Sequence, residues 1–425
     1  MTLSHPERLR WYVAGLLFLA TAVNYLDRQT LSVLAGTIQR EQKLTDVQYS
    51  WITSSFLLSY TILYAVSGRL VDRIGARWCL TISVAGWSLV SMLHGAAATF
   101  FEFCLVRFLL GAFESANFPA AVSTVAEWFP MKERALGIGV FNAGSAVGAA
   151  VSVPVIAFLA QRFGWRMAFV ATGAAGLVWV VAWTRTYYPL ADHPWLSPEQ
   201  RAEQAASVAG LVVKRQPPPL VAVLRMREAW GYAAVRVLTD PMTYFITFWI
   251  PKYFEREQSF SLAQIGRYTW IPFVGLSLGH VLSGVIPRKL VGRGLSVNCA
   301  RKSTMLVASL VVFASCVTIP AITQPGMAVV LMTAITVGHG SWGNVAIAAE
   351  VFPNEILGFI SGLGGFCGGV AGIAGQLLLA RVVERFSYRP IFFGFSVTLL
   401  IALGCVQLLI RDLGVIHARP VEVGA

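Results

Sequence analysis

Apolar runs long enough to cross a bilayer recur along this chain, separated by short polar turns rich in Arg and Lys. A helix of about eighteen or more apolar residues spans the hydrocarbon core. The pattern predicts twelve spans, near 11–37, 49–68, 78–97, 99–125, 135–160, 166–188, 229–253, 264–286, 303–323, 326–350, 356–380 and 388–411. The interval between the sixth and seventh is different. Residues 189–228 are polar and contain Gln216-Pro217-Pro218-Pro219, which reads as a linker. The predicted domains are a six-helix bundle over 1–188, a cytoplasmic linker over 189–228, a second six-helix bundle over 229–411 and a cytoplasmic tail over 412–425.

The two bundles look alike. Ala126-Glu127-Trp128-Phe129-Pro130 is followed by Leu136-Gly137 and then Gly144 and Gly148; Ala349-Glu350-Val351-Phe352-Pro353 is followed by Leu357-Gly358 and then Gly365 and Gly369. Tandem six-span halves are the parallel repeat of secondary transporters. The expected fold class is therefore an all-α membrane protein, with twelve transmembrane helices in two six-helix pseudo-repeats.

Composition agrees. The chain of 425 residues is 56% hydrophobic and 13% charged, against about 25% charged in soluble domains. The net charge of +12 could indicate nucleic acid, but the basic residues cluster in short loops. The side carrying both termini collects most of them, including Arg8, Arg10, Arg69, Arg73, Arg77, Lys132, Arg134, Arg288 and Lys289. That bias predicts cytoplasmic termini. The first apolar segment is too long for a cleaved leader and is expected to remain as the first span. Six scattered cysteines form no C-x-x-C pair, so neither a metal site nor a disulfide framework is expected. With no phosphate loop and no nucleophile–base constellation, neither ATP hydrolysis nor other catalysis is expected, and no cofactor. A sensor would need an output domain, for which linker and tail are too short.

Ionisable groups inside spans are costly and usually functional. Asp27 and Arg28 lie in the first span; Arg107 and Glu114 lie in the fourth, about two helical turns apart. If all four face one cavity, the ionised acids neutralise the arginines. Protonating the acids then frees positive charge for a carboxylate, which Arg binds well through its planar fork. Proton and anion binding thereby favour each other. Arg236 and Asp240 are spaced to meet on one helix, either as a structural pair or in a cavity. Trp249 can stack on a sugar ring or anchor the membrane interface. In span ten, Ser341 and Asn344 are candidates for hydroxyl binding, with helix packing the alternative for Ser341; Ser361 in span eleven is a weaker candidate. His280 and His339 read as packing residues. The glycines of spans five and eleven read as close-packing positions serving motion between the halves.

Gly68-Arg69-Leu70-Val71-Asp72-Arg73-Ile74-Gly75-Ala76-Arg77 resembles the signature loop of the major facilitator superfamily. The resemblance implies a cytoplasmic gate made of Gly68, Asp72, Arg73 and Gly75, with Arg134 beside it, in which Asp72 and Arg73 pair when the protein faces outward. The loop after span eight keeps only Gly284…Pro287-Arg288-Lys289 and lacks the acid. Asn24-Tyr25-Leu26-Asp27-Arg28, the stretch Arg107 to Glu114, Asn117-Phe118-Pro119 and Phe141-Asn142-Ala143-Gly144-Ser145 resemble the anion:cation symporter family. Phe248-Trp249-Ile250-Pro251 through Arg301-Lys302 looks most like its hexuronate and aldonate branch. The resemblance implies a monomeric, proton-coupled importer of a sugar-acid anion in the bacterial inner membrane, working by alternating access from a site between the halves. It assigns proton carriage to Asp27 and Glu114, a supporting role at Glu114 to Arg107, and carboxylate binding to Arg28. Tyr25 and Tyr60 become polar ligands. Ser145, where some relatives carry Gln, becomes a hydroxyl contact, and Asn142 its neighbour in the cavity. Another organic anion, aromatic or dicarboxylic, or proton antiport are the rival readings, and a membrane sensor a distant one.

Overall fold

A computed structural model of the chain describes residues 6–208 and 223–413. The proline run 216–219 and the tail beyond residue 413 lie outside the described residues. The chain divides into two compact units, Met1–Val213 with Phe260–Trp270, and Lys214–Ser259 with Ile271–Ala425.

The first unit contains α1 (Pro6–Val33), α2 (Ala35–Gln42), α3 (Asp46–Leu93), α4 (Phe100–Glu114), α5 (Asn117–Trp128), α6 (Met131–Phe163), α7 (Trp165–Thr186) and α8 (Pro198–Val208). The second begins with α9 (Arg227–Glu257). A short α10 (Leu262–Tyr268) belongs with the first unit. Then follow α11 (Trp270–Val291), α12 (Val297–Thr318), α13 (Pro325–Trp342), α14 (Ala346–Val351), α15 (Asn354–Arg385) and α16 (Arg389–Cys405). Each of the twelve predicted spans is largely helical. Among the described residues, eight helices are long and apolar enough to cross a membrane by length and composition. The stretches that fall short include α4–α5 and α9, which carry intramembrane charge.

Helix starts follow local chemistry. Thr45 with Gln48, Thr99 with Glu102 and Ser261 with Gln264 form reciprocal capping boxes. Each satisfies two backbone donors that the first turn leaves open. The repeated Phe-Pro pair marks the same turn in both halves, with Pro130 capping α6 and Pro353 capping α15. Pro suits a helix start because its missing N–H is not needed there.

Three features depart from the predicted boundaries. First, the helices of spans two and three meet at a kink confined to Gly75 (φ 76°, ψ 156°), with helix running up to it and away from it, a conformation that Gly adopts without the usual steric cost. Gly68 stays helical with open space beside it, so it makes neither a turn nor a close approach. Second, the fourth span of each half is interrupted: mildly at Ser115–Ala116 between α4 and α5, where both residues keep right-handed helical dihedrals, and sharply at Gly343–Val345 between α13 and α14, where Gly343 is left-handed. Third, the linker does not run free from residue 189. Leu190 N donates to Glu127 Oε1 at 2.9 Å, and Gln204 Nε2 to Trp128 O at 2.9 Å. His193 packs edge-on to Trp128 at 5.3 Å. Its beginning is therefore part of the first unit.

Glycines set the helix spacing. A Cβ at Gly144 would lie 2.3 Å from Phe18 O and one at Gly148 2.5 Å from Ala22 O, so α6 lies directly on α1. At Gly111 a Cβ would lie 2.3 Å from Phe56 O, which seats α4 on α3. In the second unit Gly364, Gly368 and Gly372 meet Tyr232, Asp240 and Tyr244 in turn, packing α15 along α9.

Candidate functional site

Asp27 and Arg28 are sequence neighbours whose side chains serve different helices. Asp27, on α1, is buried and its Oδ1 accepts from Ser91 Oγ of α3 at 2.6 Å. The Thr172 hydroxyl of α7 completes this neutral shell. Arg28 points the other way. Its Nη2 and Nε donate to Glu114 Oε2 at 2.7 and 3.2 Å, and Nη2 also to Asn24 Oδ1 at 3.3 Å. Its guanidinium carbon lies 4.9, 4.9 and 5.1 Å from the ring centres of Tyr25, Phe56 and Tyr60. Arg28 is thus an oriented cation in an aromatic cage, an arrangement worth more when desolvated.

Glu114 is the last residue of α4, immediately before the break. Arg107 lies about 10 Å along the same helix from it, too far to bond. No described residue accepts a hydrogen bond from any of its three guanidinium nitrogens, although it is fully buried. Its charge acts through space on Tyr49, Glu114, Arg28 and Asp27. The pairing is therefore Arg28–Glu114. The four groups do not all line one open cavity either: Asp27, Arg107 and Glu114 are enclosed within the unit, and Arg28 keeps 13% side-chain exposure against 0% for Glu114. Tyr25 and Tyr60, partly exposed, flank it. On α6 Asn142 is exposed, and Ser145 Oγ donates to Asn142 O at 2.6 Å, which leaves the Ser145 oxygen free to accept.

The second unit has its own polar centre. Arg236 grips Asp240 through Nε at 2.9 and 3.0 Å and Nη2 at 2.6 Å, and Arg236 Nη1 donates to the Tyr232 hydroxyl at 3.2 Å. Asn344, in the second break, donates from Nδ2 to Thr239 Oγ1 at 2.7 Å and to Asp240 Oδ1 at 3.3 Å. His339 Nε2 is 2.8 Å from Thr243 Oγ1, and Ser341 is buried where α13 crosses α11 at Gly279. Ser361 is exposed on α15. Trp249 corrects an expectation: its exposure is 0%, its Nε1 reaches Gln376 Oε1 at 3.4 Å, and the Lys252 ammonium lies 4.9 Å from the ring centre. A ring enclosed in this way offers no face to a sugar and presents none to lipid headgroups.

Of the gate residues, Asp72 and Arg73 are exposed on the first arm of α3, and no described residue bonds either side chain. Arg134 instead closes the end of α5, donating to Phe129 O and Ala126 O at 3.1 and 3.0 Å and to Val208 O at 3.2 Å. Among the described residues no cluster of three or more His, Cys, Asp or Glu could hold a metal.

Phe56, Ser91, Thr172, Thr239 and Tyr232 had no role in the sequence reading. Two of them carried a signal. Phe56 lies four residues before Tyr60, and Tyr232 four before Arg236, on the same helical stripes. Nothing in an apolar run singles out Ser91 or Thr172.

A family model described as Major Facilitator Superfamily matches residues 17–375. The chain is 28% identical over 396 residues to a hexuronate transporter of Escherichia coli K12, covering 90% of both chains. It is 31% identical over 284 residues to a galacturonate transporter of Dickeya chrysanthemi, covering 66% of this chain and 81% of that one. A probable galactarate/D-glucarate transporter of Escherichia coli K12 is 29% identical over 427 residues, with 95% of each covered. Among solved structures, a bacterial homologue of the human lysosomal transporter Spinster, inward-facing and occupied, superposes with TM-score 0.72 at 17% identity. That match covers 95% of this chain and 97% of the other, and it shows the fold.

Proposed function

The chain belongs to the major facilitator superfamily, and within it we propose that this multi-pass membrane protein imports a sugar-acid anion, of the hexuronate or aldonate class, together with protons. The observation that carries the reading is the caged Arg28 held by Glu114. Glu114 occupies the acceptor position that a substrate carboxylate would take. Protonation of Glu114 removes the competing charge, and the aromatic cage keeps Arg28 oriented for the incoming carboxylate. Proton and substrate then bind together by reciprocal linkage.

Asp27 is the second proton carrier in this scheme, held by hydroxyl donors and bonded by no cation. Arg107, with no bonded acceptor, supplies a fixed positive potential that lets both acids ionise again after the proton leaves. The proton gradient is the driving force and no cofactor takes part. The names of the relatives support the sugar-acid class. The basic loops support cytoplasmic termini in a bacterial inner membrane, and the cycle is alternating access by a monomer.

Proteoliposomes acidified outside test the reading. At least one uronate or aldonate is expected to accumulate, and a protonophore to abolish the accumulation. No acid-driven accumulation of any sugar acid would overturn it.

A further inference from the structure

Asn344 is held by a chain of hydrogen bonds that runs in one direction. Arg236 places three N–H contacts on the Asp240 carboxylate, so both of its oxygens act as acceptors. The Thr239 hydroxyl, 3.4 Å from Asp240 Oδ1, spends its proton there. Its oxygen is then left to accept, and Asn344 Nδ2 donates to it at 2.7 Å while also reaching Asp240 Oδ1 at 3.3 Å. Both partners of the amide nitrogen are acceptors, so the amide cannot flip without setting its own oxygen against them. Asp240 cannot yield, because α15 lies against it: a Cβ on Gly368 would be 1.9 Å from Oδ2. The backbone is fixed as well. Gly343 ends α13 in the left-handed conformation (φ 68°), and Arg301 donates to Gly343 O at 3.4 Å and to Ser283 O at 2.7 Å.

We infer that Asp240 is a positioning residue that locks the amide of the partly exposed Asn344, so that Asn344 Oδ1 accepts a hydroxyl donor from the substrate. This rests on the sugar-acid reading above and deepens it. A neutral acceptor of this kind can take a sugar O–H but repels a carboxylate. Such an acceptor selects polyhydroxy acids over acids without hydroxyls, because a site built for a hydrogen bond rejects ligands that cannot make it.

The test uses full-length protein in liposomes, with galacturonate and gluconate as substrates and hexanoate as an unhydroxylated competitor. Asp240→Asn lets the amide of residue 344 turn, and Asn344→Ala removes it. Each is expected to raise KM for the hydroxylated acids by about tenfold, the scale of one lost hydrogen bond, with inhibition by hexanoate unchanged. The double variant Asp240→Asn with Asn344→Asp restores an acceptor held by an amide donor, and should recover much of the selectivity. A purely structural role predicts that the double variant is no better than the singles. Thermal melting confirms that each variant is folded. Wild-type selectivity in Asp240→Asn, equal loss for hexanoate and sugar acids, or no recovery in the double variant would overturn the assignment. A wild-type protein that takes up neither sugar acid would instead overturn the transport reading and this assignment with it.

Discussion

Replacing Glu114 with Gln isolates the proton switch. Gln keeps the shape and one acceptor oxygen but loses the charge. Arg28 meets Glu114 Oε2 at 2.7 and 3.2 Å. Because Arg28 stays charged, the substitution turns a charge–charge contact into a charge–dipole one, which is still a charge-assisted hydrogen bond. For the shorter bond alone the difference is on the order of 1 kcal/mol. A substrate carboxylate competing for Arg28 then displaces an amide in place of a carboxylate, and its affinity at neutral pH should rise by roughly five- to tenfold. In acid, where the wild-type Glu114 is already protonated, the two proteins should bind alike. Wild-type affinity therefore strengthens as pH falls, while Glu114→Gln gives a flatter profile. Binding followed by thermal shift across pH, together with counterflow and proton-driven uptake in liposomes, reads all three consequences. Counterflow should survive and proton-driven accumulation should be lost. Full accumulation by Glu114→Gln, or a wild-type pH slope in its binding, refutes the competition mechanism.

Arg28→Lys keeps the charge but loses the planar fork and its fit to the aromatic cage, so KM for sugar acids should rise by more than about tenfold; an unchanged KM would show that charge alone binds the carboxylate. Gly368→Ala drives a methyl into Asp240, which Arg236 and Asn344 hold in place, and should destabilise the protein by about 1–3 kcal/mol in detergent unfolding. Gly365→Ala, with nothing within 4 Å of its Cβ position, is the control and should be neutral or slightly stabilising. At the end of α2, hydrogen bonds from Trp165 Nε1 and then Arg166 Nη1, each 2.6 Å, hold the Glu41 carboxyl below the usual glutamate range. A depressed acid stabilises above its unfolded pKa and loses that contribution as pH falls through the folded one. Both partners of the ion pair are over 40% exposed, so Glu41→Gln should cost at most about 1 kcal/mol. The melting difference from wild type should hold from pH 7 to about pH 5 and close below roughly pH 4; a difference that persists in acid would deny the carboxylate its role.

The spans and the repeat were legible because both rest on local pattern, namely runs of apolar residues and a recurring Phe-Pro turn. What the pattern could not carry was the approach of one helix to another. The spacing of Arg107 and Glu114 is plain on one helix, yet Glu114 bonds Arg28 because Gly111 seats α4 on α3 and the same interface brings Phe56 to the cage. Gly68 and Gly75 belong to one motif and only Gly75 bends the chain; a helical glycine costs about 1 kcal/mol against alanine, too little to break a helix whose neighbours hold it. The breaks at Ser115–Ala116 and Gly343 were hidden inside apolar runs that continue through them. Both lie in the fourth span of their half, and the side chains that meet there differ in chemistry. In each unit a side chain from the first long helix meets the broken fourth span. In the first unit the meeting is Arg28 with Glu114, two groups of opposite charge that a single proton can part. In the second it is Asp240 with Asn344, where Arg236 has already answered the acid and the amide is left with a fixed polarity. Each unit thus has a polar contact at its fourth span, and on the proposed reading the first would be a proton-controlled switch and the second a constant reader of hydroxyl groups.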